Sequence, residues 1–158
     1  MSMTMAADET REARTEAVRA LEAEFGELIS RFRRIILENA NRVSPGMLPG
    51  AYKVLTTIVR RESITLSALA ETLMSDKGQI SRTVRELEQL GLVQRTPDPD
   101  DGRSSLLSPT TEGLERLAAA RAPQESTLVD ALDEWPVDDI RNLTQLLHAL
   151  TAGESPRS

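Results

Sequence analysis

Apolar side chains recur near the start of the chain at spacings of 3, 4, 3, 4 and 3 residues. This heptad pattern packs helices side by side, and it predicts an N-terminal helix over residues 10–45. The seam can be buried within its own domain or shared with a second copy of the chain. Its regularity near a chain end favours a shared, dimeric seam. Its members are Val18, Leu21, Phe25, Leu28, Phe32 and Ile35.

Composition excludes several classes of protein. The 158 residues suffice for one domain with a core, and there is no cysteine, which rules out disulfides and thiolate chemistry. No apolar run approaches the ~20 residues that span a bilayer. Residues 1–10 lack the apolar core of a signal peptide, so we expect a cytoplasmic protein that does not enter membranes.

Enzyme signatures are absent from the sequence. The single histidine, His148, supports neither a catalytic base nor a metal site, and there is no Gly-rich phosphate loop. The acidic residues Asp98, Asp100 and Asp101 lack the ligand spacing of a calcium loop and are better interpreted as solvated turn residues. We therefore expect no enzyme activity, no metal and no cofactor.

Two short helices joined by a tight turn are predicted in the middle of the chain. Thr65 is the predicted N-cap of the first. Asp76, with Gln79 three residues later, forms a capping-box-like start for the second, over residues 76–90. Gly91 stands where a C′ glycine ends a helix. This is the layout of a helix-turn-helix.

A hairpin follows directly. Leu92–Arg95 is predicted as a strand, Thr96–Gly102 as a turn and Arg103–Ser108 as the return strand, ended by Pro109. The hairpin, residues 92–108, would form a wing, and residues 47–108 a winged helix-turn-helix. The predicted fold is thus mostly α with a small β-hairpin wing.

The C-terminal part is predicted to be helical over residues 110–151. Thr110 caps the first of these helices, Pro123 predicts a kink or break, and Pro136 precedes the last helix. We expect a disordered tail at residues 1–9 and a polar tail at residues 152–158.

The second helix of the pair has the pattern of a recognition helix. Ile80, Val84 and Leu87 point inward at 100° per residue, which leaves a polar face outward. Gln79 can pair bidentately with adenine and Arg82 with guanine. Gly78 would allow close backbone approach, and Arg85 shares the outward face. The candidate phosphate contacts are Ser75, Lys77 and Ser81.

These segments resemble the MarR family. The resemblance rests on Ile64–Glu71, Ser81–Glu88 and Gly91–Val93, and on the hairpin Arg95–Arg103, which is similar to that family's wing. It covers roughly residues 20–150. The family is one of dimeric winged-helix DNA-binding regulators, so the resemblance implies a homodimer that binds double-stranded DNA.

The resemblance also implies roles for individual residues. Arg103 would reach the minor groove or its phosphates, Asp101 would hold the wing in shape and Arg95 would face the DNA backbone. A small aromatic or phenolic effector would bind near Phe32, Met47 and Tyr52. The first and last helices would intertwine with the second copy through Val18, Leu21, Phe25, Leu128, Leu132, Ile140, Leu143 and Leu147.

Net charge opposes this interpretation in part. The whole chain carries −6, whereas five basic and five acidic side chains balance between Lys77 and Arg103. We therefore expect modest non-specific affinity and a limited salt dependence. The sequence predicts a regulator, most simply a repressor, on a pseudo-palindromic operator. The alternative is a winged-helix protein–protein interaction module that does not bind DNA.

Overall fold

The computed structural model describes residues 2–156. Within them the chain is mostly helical with one small antiparallel sheet, so the predicted fold class is confirmed. The elements are α1 (Ser2–Val43), α2 (Pro49–Arg61), β1 (Ile64–Thr65), α3 (Leu66–Thr72), α4 (Lys77–Gln89), β2 (Val93–Pro97), β3 (Ser105–Pro109), α5 (Thr111–Leu132) and α6 (Val137–Ala152).

The chain divides after Ala120 into two compact units, and α5 contributes residues to both. The first unit contains α1 to α4, the sheet and the start of α5. In the second unit, Ala149 is the one described residue that is buried, so this unit has almost no core of its own within a single chain.

Helix α1 begins earlier than the sequence predicted. We expected residues 1–9 to be a disordered tail, but α1 is continuous from Ser2, while residue 1 lies outside the described part. The segment is polar but has no glycine or proline to stop a helix, and the Thr10 hydroxyl donates to the Ala6 carbonyl at 2.7 Å.

Neither α1 nor any other helix among residues 2–156 is long and apolar enough to cross a bilayer.

The predicted ends of α3 and α4 are confirmed by hydrogen bonds. The Thr65 hydroxyl accepts from the Ala68 amide at 3.2 Å, and an Asp76 carboxylate oxygen accepts from the Gln79 amide at 3.1 Å. Gly91, just past α4, has a φ of 75°, as a C′ glycine requires. Local capping chemistry therefore sets where the two helices begin and where α4 ends.

The sheet has the order β1-β3-β2, with antiparallel neighbours. The return strand was predicted over Arg103–Ser108, with Pro109 breaking it, but it is Ser105–Pro109, so it begins two residues later and includes the proline. Pro109 is the last residue of β3 and pairs with Val93 of β2. Proline has no backbone N–H to donate. It is tolerated at this position because β1 pairs with β3 at Leu106 and Leu107 and does not extend to Pro109, so no partner strand requires that N–H.

A kink or a break was predicted at Pro123, and the break is wrong, because helix α5 continues through this residue. The carbonyl of Pro123 accepts from the Ser126 and Thr127 hydroxyls at 3.1 and 2.8 Å. Helix α6 ends at Ala152, one residue into the predicted tail, and residues 154–156 form no regular structure. Residues 157–158 of that tail lie outside the described part.

The core of the first unit joins every element of the winged helix-turn-helix. Its largest fully buried side chains come from α2, α3, α4, β3 and the turn before β2, so the core fixes α4 against the sheet. They are Leu55, Ile58, Leu69, Val84, Leu87, Leu92 and Leu107.

Candidate nucleic-acid interface

Helix α4 presents one buried and one exposed face. Val84 and Leu87 are completely buried and Ile80 is 4 % exposed, as their spacing predicted. The stripe holds the helix on the core, so its opposite face has a fixed orientation. That face carries Gly78, Gln79, Arg82, Arg85, Glu86 and Gln89, all of them exposed.

The two arginines on the exposed face of α4 are free to bind an external anion. Among the ion pairs of residues 2–156, none involves Arg82 or Arg85. Glu86 lies one turn beyond Arg82 without pairing to it. The guanidinium groups therefore keep all their donors for guanine bases or phosphates.

The start of α4 is held tightly by its cap. A Cβ atom at Gly78 would lie 3.0 Å from the capping carboxylate of Asp76, so glycine leaves room for that cap. Ser75 and Lys77, both exposed, flank it, and the Ser75 hydroxyl donates to the Leu73 carbonyl at 3.0 Å. Ser81, the third predicted phosphate contact, is half-buried.

Two aspartates shape the tip of the wing. Asp98 accepts from the Asp100 amide at 2.9 Å, and Asp101 accepts from the Arg103 amide at 3.0 Å. The Ser104 hydroxyl also donates to Asp98. The two bonds from backbone amides to the aspartates reproduce turn geometry. Asp101 thus fixes the turn that carries the exposed Arg103.

A cleft brings the wing and the start of α4 together. Lys77 from α4, Arg95 from β2 and Arg103 from the wing line the same cavity, together with two carboxylates, Asp98 and Asp101. The sequence had placed these basic residues in separate elements. The structure shows that they share one concave surface of mixed charge.

Arg95 forms a contact that the sequence did not reveal. Its guanidinium pairs with the Glu88 carboxylate of α4, and both side chains are about one third exposed. The resemblance to the MarR family implies that Arg95 faces the DNA backbone, and it implies no role for Glu88. No signal in the sequence could have identified the pair, because the residues lie in different elements.

The three effector candidates differ in how far the structure buries them. Tyr52 is buried, and its hydroxyl accepts from the Asn39 side-chain amide at 3.3 Å. Met47 is half-buried against the core, whereas Phe32 is 54 % exposed. None of the three lines the wing cleft or the shallow cavity along α6.

The apolar residues predicted to meet a second copy are largely exposed in the single chain. In α1, Val18 and Leu21 are about half exposed and Phe25 is partly covered. In the second unit, Leu128, Leu143 and Leu147 are exposed by 64, 43 and 40 %, and Leu132 and Ile140 are partly covered. Each unit therefore carries an apolar surface that its own residues leave open.

Comparison with known proteins agrees with this geometry. The MarR family profile matches residues 49–105. An HTH-type transcriptional regulator of Mycobacterium leprae is 33 % identical over 105 residues, which cover 65 % of this chain and 73 % of that protein. A transcriptional regulatory protein of Thauera aromatica is 36 % identical over 73 residues, 46 % of this chain and only 44 % of that protein.

A solved structure of similar fold is a MarR variant from E. coli complexed with operator DNA. It is 25 % identical, with a TM-score of 0.57, and the match covers 80 % of this chain and 93 % of that one. Members of the matched family are transcription regulators rather than enzymes. By sequence and by fold, the chain belongs to the MarR family of DNA-binding transcription regulators.

Proposed function

We propose that the chain is a homodimeric repressor that binds a pseudo-palindromic operator. The observation that carries this proposal is the exposed face of α4, where Arg82 and Arg85 are unpaired, on the helix whose first residue lines the wing cleft. In the winged-helix arrangement, such a helix enters the major groove and presents the residues of its N-terminal half to base edges.

Direct base contacts come from α4. Arg82 donates two hydrogen bonds to a guanine, and Gln79 pairs with an adenine. The exposed Arg103 reaches the minor groove or its phosphates from the wing. Ser75, Lys77 and Ser81 bind phosphates near the α4 N-terminus, where free amides and the helix dipole favour anions.

The balanced charge of the region limits its electrostatic affinity. Five basic and five acidic side chains between Lys77 and Arg103 give no net attraction to phosphates. Specific affinity therefore rests on base contacts and on a second half-site. A second copy of the chain would bury the exposed apolar surface of each unit. A two-fold dimer then places the two α4 helices about 34–36 Å apart.

The proposal includes release of the dimer by a small effector. A small aromatic or phenolic molecule would bind with higher affinity to a conformation in which the distance between the two α4 helices does not match the two half-sites. Its binding would therefore release the dimer from DNA. Phe32, Met47 and Tyr52 remain its candidate contacts.

The test is an anisotropy titration with duplex DNA from immediately upstream of the protein's own gene. Arg82→Ala and Arg103→Ala should each abolish tight binding that survives competitor DNA. Arg141→Ala removes the same charge from the exposed surface of α6 and should bind as the wild type does. Binding only at the non-specific level of roughly 10⁻⁴–10⁻⁶ M, or binding indifferent to Arg82 and Arg103, would favour the protein–protein interaction module.

A further inference from the structure

Strand β2 begins in the core at Val93 and is exposed at Arg95. Side chains two residues apart lie on the same face of a strand, so the Arg95 side chain lies on the face on which Val93 is buried. Arg95 lies two residues nearer the wing tip, opposite the fully buried Leu107 of β3. At this position the strand contacts α4 through the ion pair with Glu88.

This ion pair connects two elements, because Arg95–Glu88 joins a wing strand to the recognition helix. By contrast, Arg116–Glu112 and Arg141–Asp138 each join residues of one helix. Glu88 directly follows the buried Leu87, so at 100° per residue it lies beside the buried stripe. It is therefore not among the outward residues that would meet the groove.

We propose that Arg95 is a positioning residue, which holds the base of the wing against α4 through Glu88 and does not bind a DNA phosphate. The pair would fix the separation between Arg82 on the helix and Arg103 on the wing. Both must reach one duplex at the same time. This inference rests on the proposed DNA-binding function.

Replacement of Glu88 separates this role from a phosphate contact. If Arg95 binds phosphate, Glu88 competes for its guanidinium and adds repulsion, so Glu88→Gln should tighten binding. If Arg95 positions the wing, the same change releases it and should weaken binding. The two roles predict effects of opposite sign.

The experiment compares Glu88→Gln, Arg95→Gln and the exchanged double variant E88R/R95E with wild type, on the upstream duplex over a range of salt concentrations. We expect each single variant to weaken specific binding about two- to fivefold, as for a partly exposed ion pair. The slope of log affinity against log salt should not change. The exchanged pair should bind within about twofold of wild type. Asp138→Asn, which breaks an ion pair within α6, is the control and should have no effect.

Three results would overturn the inference: tighter or unchanged binding by Glu88→Gln, a salt slope reduced by about one in Arg95→Gln, or no rescue in the exchanged pair. The exchanged pair keeps the test decisive if a single variant unfolds, because a carboxylate at position 95 would abolish a phosphate contact. If wild type itself fails to bind, the proposed function fails, and this inference with it. If instead wild type binds specifically and the variants bind equally well, only this inference fails and the proposed function stands.

Discussion

A Cβ atom at Gly113 would lie 2.1 Å from the carbonyl oxygen of Leu92, closer than side chains in folded proteins approach. Leu92 is fully buried, and its carbonyl accepts from the Thr110 amide at 3.0 Å. The first turn of α5 therefore lies against the residue before β2 at a distance that only glycine allows. The sequence contained a signal, a glycine in the first turn of a helix, but it did not reveal the partner.

Gly113→Ala should accordingly destabilise the protein. The added methyl group must displace backbone at the wing base, so we expect the free energy of unfolding to fall by about 1–3 kcal/mol, measured by urea denaturation. Gly26→Ala is the matched control, because its Cβ meets nothing within 4 Å in the middle of α1. It should stabilise by about 0.5–1 kcal/mol. If the two substitutions change the free energy of unfolding equally, the close approach of Gly113 to Leu92 does not limit the side chain at position 113.

The turn between α3 and α4 holds a strained residue. Met74 has a φ of 48° and is 94 % exposed, so it occupies the left-handed position that favours glycine without burying its side chain. Met74→Gly should raise the free energy of unfolding by about 0.5–1 kcal/mol in thermal or urea melts. Met74→Ala keeps the backbone cost and should gain little. If alanine stabilises as much as glycine, strain is not the cause.

Glu86 should weaken DNA binding in general. It is exposed one turn beyond Arg82 on the face proposed to enter the groove, where its charge repels phosphates. Glu86→Gln should therefore tighten binding to specific and unrelated duplexes alike, by about two- to fivefold at low salt. Glu125→Gln, an exposed change in the second unit, should have no effect. A loss confined to the specific duplex would instead indicate that Glu86 reads a cytosine.

The seam of α1 should control assembly. Leu21 is 50 % exposed in the single chain, and a carboxylate there would face the second copy in the proposed dimer. Leu21→Glu should convert the dimer to a chain of 17.4 kDa in sedimentation equilibrium. Glu22→Gln, next to the seam, should remain dimeric. A wild-type protein that sediments as a single chain would contradict the proposed homodimer.

Features encoded within a few residues could be predicted from the sequence. The caps at Thr65 and Asp76, the glycine stop at Gly91 and the buried stripe of α4 depend on contacts one turn apart or less. Predictions were wrong where two local signals indicated different structures for the same segment. The polarity of residues 2–9 suggested a tail, although the segment has no helix breaker, and Pro123 suggested a break that α5 does not make.

The sequence by itself determined the helix-turn-helix, its wing and which face of α4 points outward, because capping and periodicity are local and repeat with the geometry of the backbone. Only the tertiary structure decided that Arg95 pairs with Glu88 and that Gly113 lies against Leu92. These contacts join separate elements. Their distances depend on how the core packs α4, α5 and the sheet together, which spacing along the chain does not specify.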